Sequence, residues 1–320
     1  MKVLITGGRG YIGYITGRML REQDHDVLLV DDMSTAIAGS MPLCGMRERA
    51  CPIESEDMVD VLRSFAPDAI LHCAAVTAVD EGEKRPLDYV YTNVEALARF
   101  LRYLPESQRI VFSSSCAVYD APDRDPVSEL YPLNPGSVYG WTKLFGERML
   151  RWDAGVRKHR VAILRYFNVI GTAYGLAQAP RDSRIVPLAI QAAREDLPFT
   201  INGTDYWTRD GTCVRDYVHV LDIARAHVAA LEALVREPAW GVQAINLGTG
   251  VGTSVVELVR AVQDVFDLPI RTVRGPRRAG DTPFAVASNC LADAVLGWRP
   301  KYSLSQAIQS IRDTMGGSSV

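Results

Sequence analysis

The sequence predicts an α/β fold, a doubly wound parallel sheet with a smaller C-terminal substrate-binding domain. Three observations carry this prediction. Short apolar runs without polar alternation recur through the first half of the 320 residues, amphipathic stretches separate them, and a glycine-rich loop joins the first run to the first helix.

Each element has its own signature. The runs KVLIT (2–6), DVLLV (26–30), AILHC (69–73), RIVFS (109–113) and VAILRY (161–166) are rich in β-branched residues and leucine. Such runs suit strands covered on both faces. Between them, helical periodicity is expected over about 11–23, 54–65, 87–104 and 138–154. After Tyr166 the pattern changes to a loop-like stretch, a helix over 186–195, a turn-rich segment and the strand-like VRDYVHV. A helix over 220–236, a strand over 243–248 and a helix over 254–266 follow, and the polar MGGSS reads as a frayed tail. The division expected is 1–167 for the nucleotide-binding domain, with a contribution from about 212–235, and 168–320 for the substrate domain.

Composition bounds the function. Apolar residues are 48%, charged residues 23% and the formal charge is -3, so nothing electrostatic favours nucleic acid or an anionic membrane surface. Met1 and Lys2 lead straight into a strand, which leaves no room for a signal peptide, and no apolar run is long enough to cross a bilayer. Six scattered cysteines without a CxxC pair suit reduced thiols in the cytoplasm and no metal site.

LITGGRGYIG places Gly7, Gly10 and Gly13 between a strand and a helix, with Tyr11 and Ile12 opening that helix. Glycines there permit close approach of a pyrophosphate to helix N–H groups. Asp31 and Asp32 end the second strand about 20 residues on, where a carboxylate accepts from a ribose 2′-OH and repels a 2′-phosphate. NAD is therefore expected over NADP.

Tyr139 and Lys143, in SVYGWTK, fall on one helical face, and Ser115 ends a strand at the carboxyl edge of the sheet. An ammonium and a cationic nicotinamide both favour phenolate, and lowering a phenol from about 10 to near 7 needs ~4 kcal/mol. Ser115 then bridges Tyr139 and a substrate hydroxyl.

With these segments the chain resembles the extended short-chain dehydrogenase/reductases with a Rossmann domain, and within them the UDP-glucose 4-epimerase family. TGGRGYIG, HCAAVTAV, FSSSCAVY, YGWTK, LRYFNVIG, DGTCVRDYVHVLDIARAHVAAL, INLGTG and PRRAGD carry the resemblance, which runs to about residue 300. It implies an NAD-dependent epimerase with Ser115, Tyr139 and Lys143 as the catalytic triad. Ala74, Ala75 and Asn93 would lie near the cofactor, and Tyr166 and Phe167 beneath the nicotinamide. Asn168, Arg215 and Arg278 would hold the diphosphate, Asp281 a ribose, and Ile185 would line the substrate site. The family's homodimer forms through the helices at 87–104 and 138–154, with Tyr91, Val94, Leu97, Phe145, Met149 and Trp152 as apolar candidates. His219 and His227 are read as structural.

Related 4,6-dehydratases and decarboxylases carry acidic residues where this chain has Cys116 and Ala117, which argues for epimerisation. A different nucleotide sugar, a glucuronate or pentose epimerase, and a non-catalytic nucleotide-binding protein are the alternatives. Departures from the family pattern cluster on nucleotide contacts. Pro52 replaces an adenine-binding Asp, Thr35 a frequent Asn, Asn202 an aromatic near the uracil, and Arg184 an Asn or His near the diphosphate. Ala285, small at a position that limits the sugar pocket, predicts tolerance of a 2-acetamido group.

Overall fold

The computed structural model describes residues 1–119, 126–177, 184–278 and 281–316; most of the expected polar tail lies outside them. In chain order the strands are β1 (Lys2–Thr6), β2 (Asp26–Asp31), β3 (Arg47–Ala50), β4 (Ala69–His72), β5 (Arg109–Ser115), β6 (Arg160–Tyr166), β7 (Asn168–Ile170), β8 (Phe199–Asn202), β9 (Val214–His219), β10 (Val242–Leu247), β11 (Gly252–Ser254), β12 (Thr272–Gly275) and β13 (Phe284–Ala285). The helices are α1 (Tyr11–Glu22), α2 (Asp57–Phe65), α3 (Val79–Lys84), α4 (Pro86–Val90), α5 (Ala96–Tyr103), α6 (Val138–Arg157), α7 (Ile185–Glu195), α8 (Val220–Arg236), α9 (Val255–Phe266), α10 (Cys290–Leu296) and α11 (Leu304–Gly316).

A seven-stranded parallel sheet runs in the order β10-β6-β5-β4-β1-β2-β3. Side chains alternate across it. Val3 and Ile5 of β1 pack with Tyr14 and Ile15 of α1 and Ile223 of α8, whereas Leu4 faces Met58 of α2, Phe100 of α5 and Leu150 of α6. Period-two alternation with both faces apolar is what a strand between two helical layers requires. The seventh strand, β10, comes from within the stretch expected to form the second domain.

That later part of the chain is built around β9, which pairs in parallel with β7 and β13 and antiparallel with β11. Beside it, β8 and β12 form a separate parallel pair. Helices α7, α9 and α11 cover a core that includes Ile190, Leu258, Val262 and Ile308. Helix α9 starts at a capping box, Ser254 with Glu257, which satisfies two backbone donors reciprocally.

The helix expected over 87–104 is interrupted. Residues Tyr91–Glu95 form one wide π-type turn between α4 and α5. An extra residue rotates the helix beyond it by roughly 100°. Leu97 points into the core, 1% exposed, and cannot serve an interface, while Tyr91, Phe145 and Trp152 are exposed.

Candidate active site

The glycine loop brings β1 against the segment after β4. Gly7 has φ +65, and a Cβ there would stand 2.6 Å from the Ala74 amide nitrogen, so only glycine permits the approach. Gly10 leads into α1 without a side-chain cap, leaving the first-turn N–H groups of Tyr11, Ile12 and Gly13 for a ligand. The Tyr11 hydroxyl is not at the cofactor edge: it is buried and donates to the Gly171 carbonyl at 2.5 Å.

Asp31 is nearly buried at the end of β2. Its Oδ2 accepts from the Arg9 backbone at 2.8 Å and its Oδ1 from Met33 at 2.9 Å. Asp32 is exposed and accepts from Ser34. Asn93 is buried in the wide turn and its amide is fully engaged. It accepts from Val76 N–H at 2.9 Å and donates to the Val76 carbonyl and to Thr142 Oγ1, both at 3.0 Å. Asn93 thus fixes the stretch after β4, including Ala74 and Ala75, against α6.

Ser137 caps α6 by accepting from Gly140 N–H at 3.1 Å. A Cβ on Gly140 would lie 2.3 Å from the Ala117 carbonyl oxygen. Glycine at that place lets the first turn of α6 rest on the end of β5, and so brings Tyr139 to Ser115. The Ser115 hydroxyl lies close enough to the phenol to favour its ionised form. Lys143 is buried, donates from Nζ to the Ser113 carbonyl at 2.9 Å, and stands 5.9 Å from the Tyr139 ring centroid.

Burial, which the sequence does not show, acts on both Tyr139 and Lys143. Burial pushes the Tyr139 phenol up to about 12, against the pull of the Ser115 hydroxyl and the Arg184 charge. Burial also lowers the Lys143 ammonium to about 8, opposed by Cys73 and Glu147. In the chain alone, desolvation is the largest influence on both groups. Cys116, next along from Ser115, is held neutral by burial, its thiol pushed up to about 12.

Tyr166 presents no free hydroxyl to a cofactor. It is buried and bonded to Ser113 Oγ and His227 Nε2, each at 2.6 Å. His219 caps α8 by accepting from Leu221 N–H.

A cavity of about 370 Å³ lies beside this centre, lined in part by Asn168, Ile185, Asn202, Arg215, Tyr217, Arg278 and Asp281. Arg215 donates to the Thr282 carbonyl at 2.7 Å and pairs with Asp281 at 3.3 Å. Asn202 accepts from Arg278 Nε at 3.0 Å and Nη2 at 3.1 Å. Arg184 and Ala285 stand outside the cavity lining. Arg184 precedes α7 and reaches Thr77 Oγ1 at 3.4 Å, and Ala285 is paired with Arg215 across β13 and β9.

Two residues behind the site escaped sequence reasoning. Glu147 and Arg165 form a buried ion pair that joins α6 to β6. Their only signal was charge inside otherwise apolar patterns.

Residues 3–248 match the NAD dependent epimerase/dehydratase family. The chain belongs to that family. It is 39% identical over 318 residues to a UDP-glucose 4-epimerase of Rhizobium meliloti, covering 96% of this chain and 95% of the relative. It is 36% identical over 312 residues to the UDP-glucose 4-epimerase of Halalkalibacterium halodurans, covering 94% and 91%. Its fold matches the Stenotrophomonas maltophila UDP-glucose-4-epimerase with bound NAD and formylated UDP-arabinopyranose, with a TM-score of 0.92, 33% identity and 99% coverage of both chains.

The residues present fit the cofactor of this epimerase/dehydratase family. The close approach at Gly7 and the uncapped start of α1 suit a pyrophosphate, and the Asp31 carboxylate stands at the end of the neighbouring strand.

Proposed function

We propose that the protein is an NAD-dependent 4-epimerase of a nucleotide sugar of the UDP-glucose/UDP-galactose type, working through a transient 4-keto sugar. One observation carries this reading. Tyr139, Ser115 and Lys143 meet at the carboxyl edge of the sheet, beside an arginine-lined cavity, with no acidic side chain at positions 116 and 117.

Tyr139 takes the proton of the sugar 4-OH and later returns it, while Ser115, beside the same phenol, shares the proton path. Lys143 and Arg184 supply positive charge near a phenol that burial otherwise keeps protonated. NAD, when bound, would supply a reversible hydride acceptor for sugar C4. Arg215 and Arg278 hold the diphosphate, since guanidinium groups match phosphate oxygens in pairs. Firm diphosphate anchoring with few sugar contacts lets the keto sugar present either face. The neutral Cys116 thiol cannot supply the acid that water elimination needs.

The exposed apolar residues Leu87, Tyr91, Phe145 and Trp152 support a homodimer through α4, the wide turn and α6. The six unpaired cysteines support a cytoplasmic site of action. A second reading, a different nucleotide, is favoured by Asn202, whose amide faces the cavity where an aromatic would stack. Ala285 supports acceptance of 2-acetamido sugars. Turnover of UDP-, GDP-, CDP- and dTDP-hexoses separates these readings. A clear preference for UDP-hexoses supports the first, and preference for another base supports the second.

A further inference from the structure

Arg9 sits inside the glycine loop, yet its side chain is only 5% exposed. A cation in such a loop would ordinarily be available to a 2′-phosphate on the cofactor. Here its donors are spent elsewhere. Nη1 donates to the Ala38 carbonyl at 2.9 Å and the Met41 carbonyl at 2.8 Å, and Nε donates to the Glu48 carboxylate on β3. The backbone of Arg9 is equally committed. Its N–H donates to Asp31 Oδ2 at 2.8 Å, and its carbonyl accepts from Ala38 N–H at 2.9 Å.

One residue thereby ties the phosphate loop to the Asp31 carboxylate, to β3 and to the stretch between β2 and β3. Besides Arg9, the stretch is held by Tyr14, whose hydroxyl donates to the Pro42 carbonyl at 2.7 Å, and by Ile37, Met41 and Leu43 packed against the core. From 32 to 46 there is no helix or strand, and only Ala38 and Met46 are buried. Both carboxylate oxygens of Asp31 are oriented by backbone N–H groups on either side, one of them from Arg9 itself. Glu48 meanwhile cancels the guanidinium charge, so the loop presents no net attraction to a 2′-phosphate.

We propose that Arg9 is a latch for the adenosine half of the NAD site. It is a positioning residue that pre-organises the 32–46 segment and Asp31, and it acts on cofactor retention. Ordering a segment before the ligand arrives removes that entropic cost from binding. Pro52, which brings neither a side-chain acceptor nor an N–H to the adenine side, leaves more of the retention to this enclosure.

This inference rests on the NAD reading above, and the test keeps the two apart. NAD-stripped wild type, Arg9→Ser, Arg9→Lys and Glu48→Gln are titrated with NAD, NADP and UDP by calorimetry. Hydrogen exchange of 33–41 is followed in parallel. The expected result is at least about tenfold weaker NAD binding in Arg9→Ser, a smaller loss in Arg9→Lys and Glu48→Gln, and faster exchange across 33–41. UDP affinity stays unchanged in all three and certifies the fold. Equal NAD affinity in wild type and all three variants overturns the latch, as does a loss confined to NADP. A wild type that binds no NAD overturns the cofactor reading instead.

Discussion

Glu147 grips Arg165 through two hydrogen bonds, Oε1 to Nε at 2.9 Å and Oε2 to Nη2 at 2.6 Å, with both side chains at most 2% exposed. The pair locks α6, which carries Tyr139 and Lys143, to β6, which leads to Asn168. Ser114 Oγ donates to the same carboxylate at 2.6 Å, and Tyr119 links Arg165 to Asn246. The reacting centre therefore stands on a buried polar frame. Arg165→Met leaves a buried carboxylate without its cation and is expected to cost about 3–5 kcal/mol in denaturant unfolding. Glu147→Met/Arg165→Met together should recover much of that loss. An additive double variant contradicts the pairing.

Tyr139→Phe removes the phenol and keeps the ring. It is expected to lower kcat by about 10²–10⁴ while NAD and UDP binding persist in calorimetry. Wild-type turnover in this variant contradicts the role of Tyr139.

Lys143 carries a stability cost as well as a function. Its folded pKa of about 8 lies below the ordinary 10.5, so between those values the unfolded chain binds more protons and stability rises with pH. Below about pH 8 the buried charge costs roughly 3 kcal/mol. Lys143→Met, unfolded without NAD, should require higher denaturant at pH 7, its advantage shrinking towards pH 10.5, and should lose activity when assayed with NAD. The lost bond to the Ser113 carbonyl offsets part of the gain. Destabilisation at pH 7 with a gap that does not vary with pH contradicts this.

With its amide oxygen turned to the guanidinium, Asn202 accepts from Arg278 Nε and Nη2. Asn202→Ala should weaken UDP binding by about 1 kcal/mol, raising KM several-fold with little change in kcat. Unchanged UDP affinity means that Arg278 needs no such partner.

The fully buried strands were legible because short, continuous apolar runs alternating with amphipathic helices suit strands covered on both faces. Strand β3 was not. Its residues Arg47–Ala50 are all exposed, so no hydrophobic period marks this edge strand. The strands β7, β11 and β13 span only two or three residues and leave no pattern. At the site, short spacings reveal Tyr139 and Lys143, because one helical turn joins them. Arg9 with Glu48 and Glu147 with Arg165 pair across long separations that no local pattern encodes. The wide turn at Tyr91–Glu95 likewise has no plain signal, and Leu97, open in sequence to either interface or core, lies in the core. The phenol of Tyr139 is expected to be lowered by Lys143 together with a cationic nicotinamide; the depth of its burial, invisible in sequence, raises it before any cofactor contributes.

The most direct test is proton NMR of purified protein incubated with UDP-galactose, following the configuration at sugar C4. The predicted result is conversion towards a mixture with UDP-glucose, without net consumption of nicotinamide cofactor, and no conversion by Tyr139→Phe. UDP-galactose that stays unchanged at C4 in the presence of NAD, or that is converted equally by Tyr139→Phe, contradicts the epimerase reading.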